Sequence, residues 1–362
     1  MFASEACQVS MEVSELSFRL PSRLQWGESC LFDGPSVRLA FPPESILAVR
    51  RFGGGEVFVP GRDYEMTSDG LSAVPGGRLP LVTEAELHPS GSSAILYPAA
   101  GANAIGGGVD GRNLRFTGGD WYSARQVWVD YRAASQDFPA FPGPDNGFRE
   151  AFARRLGRPE GLSVTFIGDS ITFGCNASQT LGQPPHQPPY AGLVADALAA
   201  RAAGPLAWRN RAVSGSGCRD ALTRHADWQD DRPDLLVVAY GMNDFSSLTA
   251  QGYVDELGRI LVRARERRPD TLVLFVASMA GNAAWQHTPP RPAAAFAEAL
   301  RAFVSATPET GFADVYHVWE EMRGRKGYLS LTGNGVNHPN DYGYRLYAAT
   351  LLNELLPGER LL

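Results

Sequence analysis

"VTFIGDSITFGCNAS", residues 164–178, opens as a near-continuous apolar run and breaks at Gly168-Asp169-Ser170 before sequence of helical character resumes. An unalternating run of this kind is what a strand buried on both faces requires. The break has two readings. Asp and Ser are both favoured helix N-caps, so the turn could simply start a helix, or it could hold a hydroxyl at the mouth of a sheet.

Downstream, similar short runs recur at residues 206–213, 235–240, 271–277 and 313–318, separated by helical stretches such as "YAGLVADALAARAAG", "GYVDELGRILVRARERRPD" and "PAAAFAEALRAFVSA". Alternation of this type predicts a parallel sheet covered by helices, an α/β domain over residues 159–362. Upstream, from about residue 8 to 135, the chain reads as short strands between Gly and Pro turns: "SVRLAFP", "SILAVRRF", "EVFVPGRDYEM", "SAILYP", "NLRFTG" and "QVWVDYR". No 3.6-residue stripe runs through them, which predicts an all-β, jelly-roll-like sandwich domain over residues 1–135. The Pro- and Gly-rich stretch within residues 136–158 reads as the linker, with a short helix in "REAFARRLG".

The 362 residues exceed a single-core size, and 44% apolar with 20% charged residues is ordinary for a globular chain. A formal charge of −6 offers nothing to attract nucleic acid or an anionic membrane. Cys7, Cys30, Cys175 and Cys218 form no CxxC pair and read as free thiols. Cys175 and Cys218 follow neighbouring motifs, yet two unpaired thiols are favoured over a bridge. The first residues lack a basic-then-apolar leader pattern and no 18-residue apolar stretch occurs, so a cytoplasmic location is expected.

In parallel α/β sheets the working residues lie beyond the carboxyl ends of the strands. Ser170 follows the first run, Gly215 in "RAVSGSGC" the second, and Asn243 in "AYGMND" the third, while His338 in "GNGVNHPND" precedes the last helix. These types suit acyl transfer. Ser170 needs an adjacent base to become nucleophilic, and His338 titrates in the right range. The negative charge of a tetrahedral intermediate needs fixed donors, supplied by the backbone N–H groups of Ser170 and Gly215 and the Asn243 amide.

With these four blocks in order, the chain resembles the GDSL/SGNH hydrolase superfamily over about residues 160–357: "GDS" at 168–170, "SG" ending at Gly215, "GMND" at 241–244 and "HPND" at 338–341. The resemblance implies a flavodoxin-like three-layer fold and a carboxylic ester hydrolase that uses Ser170, Gly215, Asn243 and His338. The chain is also similar to bacterial carbohydrate esterases in which a β-sandwich precedes the hydrolase domain. One departure stands out. The family usually carries Asp three residues before the histidine, and here that position is Gly335. Allowing Asn337 as an insertion puts Asn334 in the aspartate's place, and Asp341 is the nearest carboxylate. Helix capping is the plainer job for Asp341. A backbone carbonyl holding His338, a Ser–His dyad, is the preferred reading.

Asp169 and Asp244 are expected to brace their loops rather than react. Trp285 and His287, in the Pro-rich "GNAAWQHTPPRP", are candidates for the substrate rim, although loop packing is the plainer reading. The histidines show no metal-ligand spacing and "GGGVDG" at 106–111 is neither a P-loop nor a dinucleotide fingerprint, so neither metal nor cofactor is expected. The expected activity is hydrolysis of small acyl esters, acetyl on a sugar first, through an acyl-enzyme. Lipid-ester or thioester hydrolysis and acyl transfer to a sugar use the same residues. A glycan-binding protein that has lost activity is the reading of another class, and a homo-oligomer stays open.

Overall fold

The computed structural model describes residues 23–135, 137–288 and 290–356. The part of the expected β region that precedes residue 23, with Cys7, lies outside the described residues.

The N-terminal region is antiparallel. Its strands are β1 (Leu24–Leu31), β2 (Ser36–Arg38), β3 (Pro43–Arg51), β4 (Val57–Phe58), β5 (Tyr64–Met66), β6 (Gly70–Ala73), β7 (Ala104–Ile105), β8 (Leu114–Arg115) and β9 (Gln126–Ala133). They form a four-stranded sheet β1-β9-β3-β4, a three-stranded sheet β2-β6-β5 and the β7-β8 ribbon. "SAILYP" is not a strand: it follows a 3-10 turn and makes one isolated bridge, Leu96 to Ala104. The segment 137–146 contains neither helix nor strand, and its Phe138 and Phe141 pack against each other and against Phe41 and His317.

The remainder alternates. Helix α1 (Phe148–Leu156) is followed by β10 (Leu162–Gly168), α2 (Ser170–Phe173), α3 (Tyr190–Ala199), β11 (Leu206–Asn210), α4 (Cys218–Thr223), β12 (Leu235–Ala239), α5 (Ala250–Arg267), β13 (Leu272–Val276), α6 (Pro290–Ser305), β14 (Thr310–Ala313), α7 (Val315–Lys326) and α8 (Asp341–Leu355). The five strands pair in parallel in the order β11-β10-β12-β13-β14, the flavodoxin-like order, which reverses direction between β10 and β12. β12 and β13 are buried at every position, which is why their sequence does not alternate. Two helix groups, one around α8 and one around α5, complete the three layers. No described helix is long and apolar enough to cross a membrane.

Two expected strand boundaries move. The run at 313–318 is mostly helix: the strand is Thr310–Ala313, and the Asp314 side chain accepts from the His317 N–H to start α7. β11 stops at Asn210, whose amide donates to Thr172 O at 2.7 Å and accepts from Ala212 N at 3.1 Å, turning the chain.

The antiparallel sheet and the α/β layers share one buried apolar cluster, from Cys30 and Val129 on one side to Trp319 and Leu355 on the other. Polar anchors cross the seam. Lys326 Nζ donates to Glu28 Oε1 at 2.7 Å and Ser29 O at 2.6 Å, with both charged side chains fully enclosed. Glu28 also accepts from Tyr131 Oη at 2.7 Å and Ala40 N at 2.8 Å. Gln126 Nε2 reaches Leu329 O and Thr332 O, and Arg345 donates to Trp26 O and Gly27 O. Removing one member of a buried ion pair strands the other charge, at a cost of about 3–5 kcal/mol. Glu28→Ala should therefore lower unfolding stability in urea by about that amount, whereas Leu47→Ala on the exposed face of β3 should change it by less than about 0.5 kcal/mol. Equal stability of the two variants would refute a structural role for this pair.

Candidate active site

β10 ends at Gly168, where the chain passes so close to α2 that an added Cβ would lie 2.1 Å from Thr172 Oγ1 and 2.6 Å from Ala239 O. Asp169 then caps α2, its Oδ1 accepting from Ile171 N at 2.9 Å. This leaves Ser170 as the first helical residue, at the carboxyl end of β10 and beside the point where the strand order reverses. Ser170 Oγ lies 2.9 Å from Nε2 of His338, a residue 168 positions away that precedes α8.

The other blocks are tied to this one by hydrogen bonds. Ser216 Oγ donates to Gly168 O at 3.2 Å, and Asn243 Nδ2 donates to Ser216 O at 3.0 Å. Asp244 accepts from Cys218 N at 3.2 Å and from Cys218 Sγ at 3.3 Å, clamping the third block to the second. Gly215 is solvent-exposed on the connecting loop, with φ +81° and open space around it. Asp169 and Asp244 thus spend their oxygens on loop bracing. Cys30, Cys175 and Cys218 are free thiols.

The far side of the imidazole differs from every partner expected. His338 Nδ1 lies 2.8 Å from Asn176 Oδ1, so neither Asn334, nor Asp341, nor a backbone carbonyl occupies that position. Asn334 is fully buried, and its Oδ1 accepts the N–H groups of Val336, Asn337 and His338 at 2.9, 2.9 and 3.0 Å, so it shapes the loop instead of meeting the ring. Asp341 Oδ1 accepts from Ser178 N at 2.9 Å, binding the Asn176 loop to α8. The helix cap expected of Asp341 is made by Asn340, which accepts from Gly343 N. Asn176 escapes sequence reasoning because a lone Asn in "FGCNAS" reads as a turn residue. Its φ of +66° fits that reading too.

Gly335, the position of the family's usual aspartate, has φ +86°, and a Cβ there would lie 2.1 Å from Tyr122 Oη and 2.5 Å from Arg115 O. Both are N-terminal residues packed against the histidine loop. The loop carrying Trp285 and His287 also rests on this one: Asn282 donates to Val336 O at 2.7 Å and Gly335 O at 2.8 Å. Trp285 Nε1 is engaged by Gly106 O at 3.0 Å, and its ring stands 5.2 Å from that of the exposed His287.

Residues 166–346, half of the chain, match the GDSL-like Lipase/Acylhydrolase family. The chain belongs to this family. It is a serine hydrolase of carboxylic esters. No curated protein matches the sequence. Solved structures similar to this family member include a GDSL-like lipase from Parabacteroides merdae (20% identity, 56% of this chain and 98% of that chain, TM-score 0.47). An acetyl xylan esterase from Geobacillus stearothermophilus is also similar (20% identity, 54% and 94%, TM-score 0.43). A third is a two-domain esterase active on acetylated mannans (18% identity, 58% and 53%, TM-score 0.46).

Burial of the His338 ring disfavours the imidazolium and pulls its pKa down from 6.5 to about 4. An NMR titration of the ring should keep it neutral at pH 6 and reach its midpoint well below 6.5. A midpoint at or above 6.5 would contradict the packing described.

Proposed function

We propose that Ser170 is the nucleophile and His338 its general base in the hydrolysis of small acyl esters, acetyl esters of a carbohydrate first among them. The 2.9 Å approach of Ser170 Oγ to His338 Nε2 carries this reading. That distance suits proton transfer from the hydroxyl as it attacks the ester carbonyl. The alcohol then departs with the proton held on Nε2, leaving an acyl-enzyme. Water, deprotonated by the same nitrogen, attacks the acyl carbon and restores Ser170.

The oxyanion formed in both steps would be met by the N–H groups of Ser170 and Gly215 and by the Asn243 amide. Asn243 Nδ2 carries two hydrogens, one of which is spent on Ser216 O. That bond fixes the amide plane and leaves the second hydrogen for the substrate. The described surface of these blocks is mostly small and polar: Ser214 and Gly215 are exposed and Cys175 is half-buried, with Phe173 and Val213 as the exposed apolar side chains. Such a surface suits a short acyl group on a polar alcohol better than a long chain. In this reading Trp285 and His287 flank the alcohol.

Ser170→Ala should abolish release of p-nitrophenol from p-nitrophenyl acetate, and equal rates in both proteins would refute the nucleophile. Loss of a single oxyanion donor costs roughly a hundredfold to a thousandfold in kcat. Asn243→Ala should show that loss, and a change below threefold would remove Asn243 from the role. Across p-nitrophenyl esters of increasing length, kcat/KM should fall beyond short acyl chains, while a maximum at eight carbons or more would overturn the small-acyl assignment.

A further inference from the structure

The Asn176 amide is held at both ends. Its Nδ2 faces three carbonyl oxygens, Gly333 O at 3.2 Å, Gly119 O at 3.3 Å and Thr117 O at 3.4 Å. Carbonyl oxygens only accept, so the NH2 end must face them and Oδ1 must face His338. An amide oxygen also only accepts. The 2.8 Å contact to Nδ1 therefore requires the proton on Nδ1, which leaves Nε2 bare and directed at Ser170.

We propose that Asn176 is a positioning residue for the reaction: its side-chain oxygen holds His338 in the Nδ1–H tautomer, and the N-terminal segment Thr117–Gly119 helps set which way that oxygen points. The inference rests on the reading of Ser170 and His338 as nucleophile and base. It goes beyond that reading by assigning the third member to a neutral side chain outside the histidine loop. The same carbonyls explain the residue type. A carboxylate at 176 would set its second oxygen against three acceptors, whereas the carboxamide turns two N–H hydrogens toward them. Asn is, besides, one of the few non-glycine residues at ease at φ +66°. The neighbouring chain is secured from the other side: Asp341 binds Ser178 N, and Tyr344 Oη donates to Cys175 O at 2.6 Å. Asn176 is itself buried, so water does not compete freely for Nδ1.

The test combines kinetics with nitrogen NMR of the histidine ring. In the wild-type protein, Nδ1 of His338 should give the signal of a protonated nitrogen and Nε2 that of a bare one. The reverse assignment would overturn the proposal outright, without any variant. Asn176→Gly keeps the backbone conformation accessible and deletes the amide. Its kcat on p-nitrophenyl acetate should fall about a hundredfold with KM within threefold, and its His338 signals should move toward a tautomer mixture. Asn176→Asp retains an acceptor oxygen and should exceed Asn176→Gly in kcat by at least tenfold. A glycine variant with kcat within threefold of wild type, or with an unchanged tautomer spectrum, would sink the proposal. Failure of the underlying reading looks different: Ser170→Ala would then be as active as wild type. An inactive Ser170→Ala beside a fully active Asn176→Gly would leave the serine mechanism standing and dismiss Asn176 alone.

Discussion

The stretch from Lys326 to Asn340 is held between the antiparallel sheet and the α/β layers, and the geometry of the site depends on how it is held there. Its start is pinned by the enclosed Lys326–Glu28 pair, its middle by Gln126 on Leu329 O and Thr332 O, and its end by Asn340 on Gln126. Burying two charges is costly, and the cost is offset here because each has further partners, Ser29 O for the ammonium and Tyr131 Oη with Ala40 N for the carboxylate. A rigid seam of this kind lets a residue on a loop be placed as finely as one on a helix. His338 sits within that loop, so the N-terminal region takes part in placing it.

The same docking accounts for the absent aspartate. Tyr122 Oη and Arg115 O occupy the space that any side chain at 335 would need. A carboxylate there would clash before it could pair with the ring, so the N-terminal region closes the usual route for orienting the histidine. It opens another, because Thr117 O and Gly119 O, a few residues along the same segment, turn the Asn176 amide toward Nδ1. Tyr122 and Thr117 thus belong to one packing event with two consequences.

What was legible in the sequence follows from the range of each signal. The parallel sheet and Ser170 announce themselves locally, through unbroken apolar runs and a tight Gly-Asp-Ser turn, and His338 through the short motif before α8. Asn176 does not, because its bond to His338 spans 162 residues and the groups that orient it lie 57 to 157 residues away. β1 is hidden for a related reason. Its Glu28 and Ser29 are buried polar residues, and the Lys326 that meets the Glu28 carboxylate and Ser29 O sits at the end of α7, so the strand lacks the apolar pattern that reveals its neighbours. At 313–318, "ADVYHV" looks like a strand because Val and Tyr favour sheets, and only the Asp314 cap decides for helix.

The electrostatics of the site share one property, scarcity of full charge. Burial pulls the His338 pKa down to about 4 and pushes Asp169 up to about 7. Near neutral pH the imidazole is uncharged, its partner Asn176 is uncharged, and the Asp169 carboxyl beside Ser170 is held partly protonated. In the proposed reaction, negative charge grows on the substrate's carbonyl oxygen and positive charge on the ring. An ionised aspartate behind Ser170 would repel the first, at a cost that rises as the local dielectric falls. A neutral Asn176 stabilises the second less than a carboxylate would, and its contribution is direction more than charge. For the proposed reaction, the arrangement exchanges part of the stabilisation of the imidazolium for an imidazole that stays unprotonated, and so able to accept a proton, well into the acidic range.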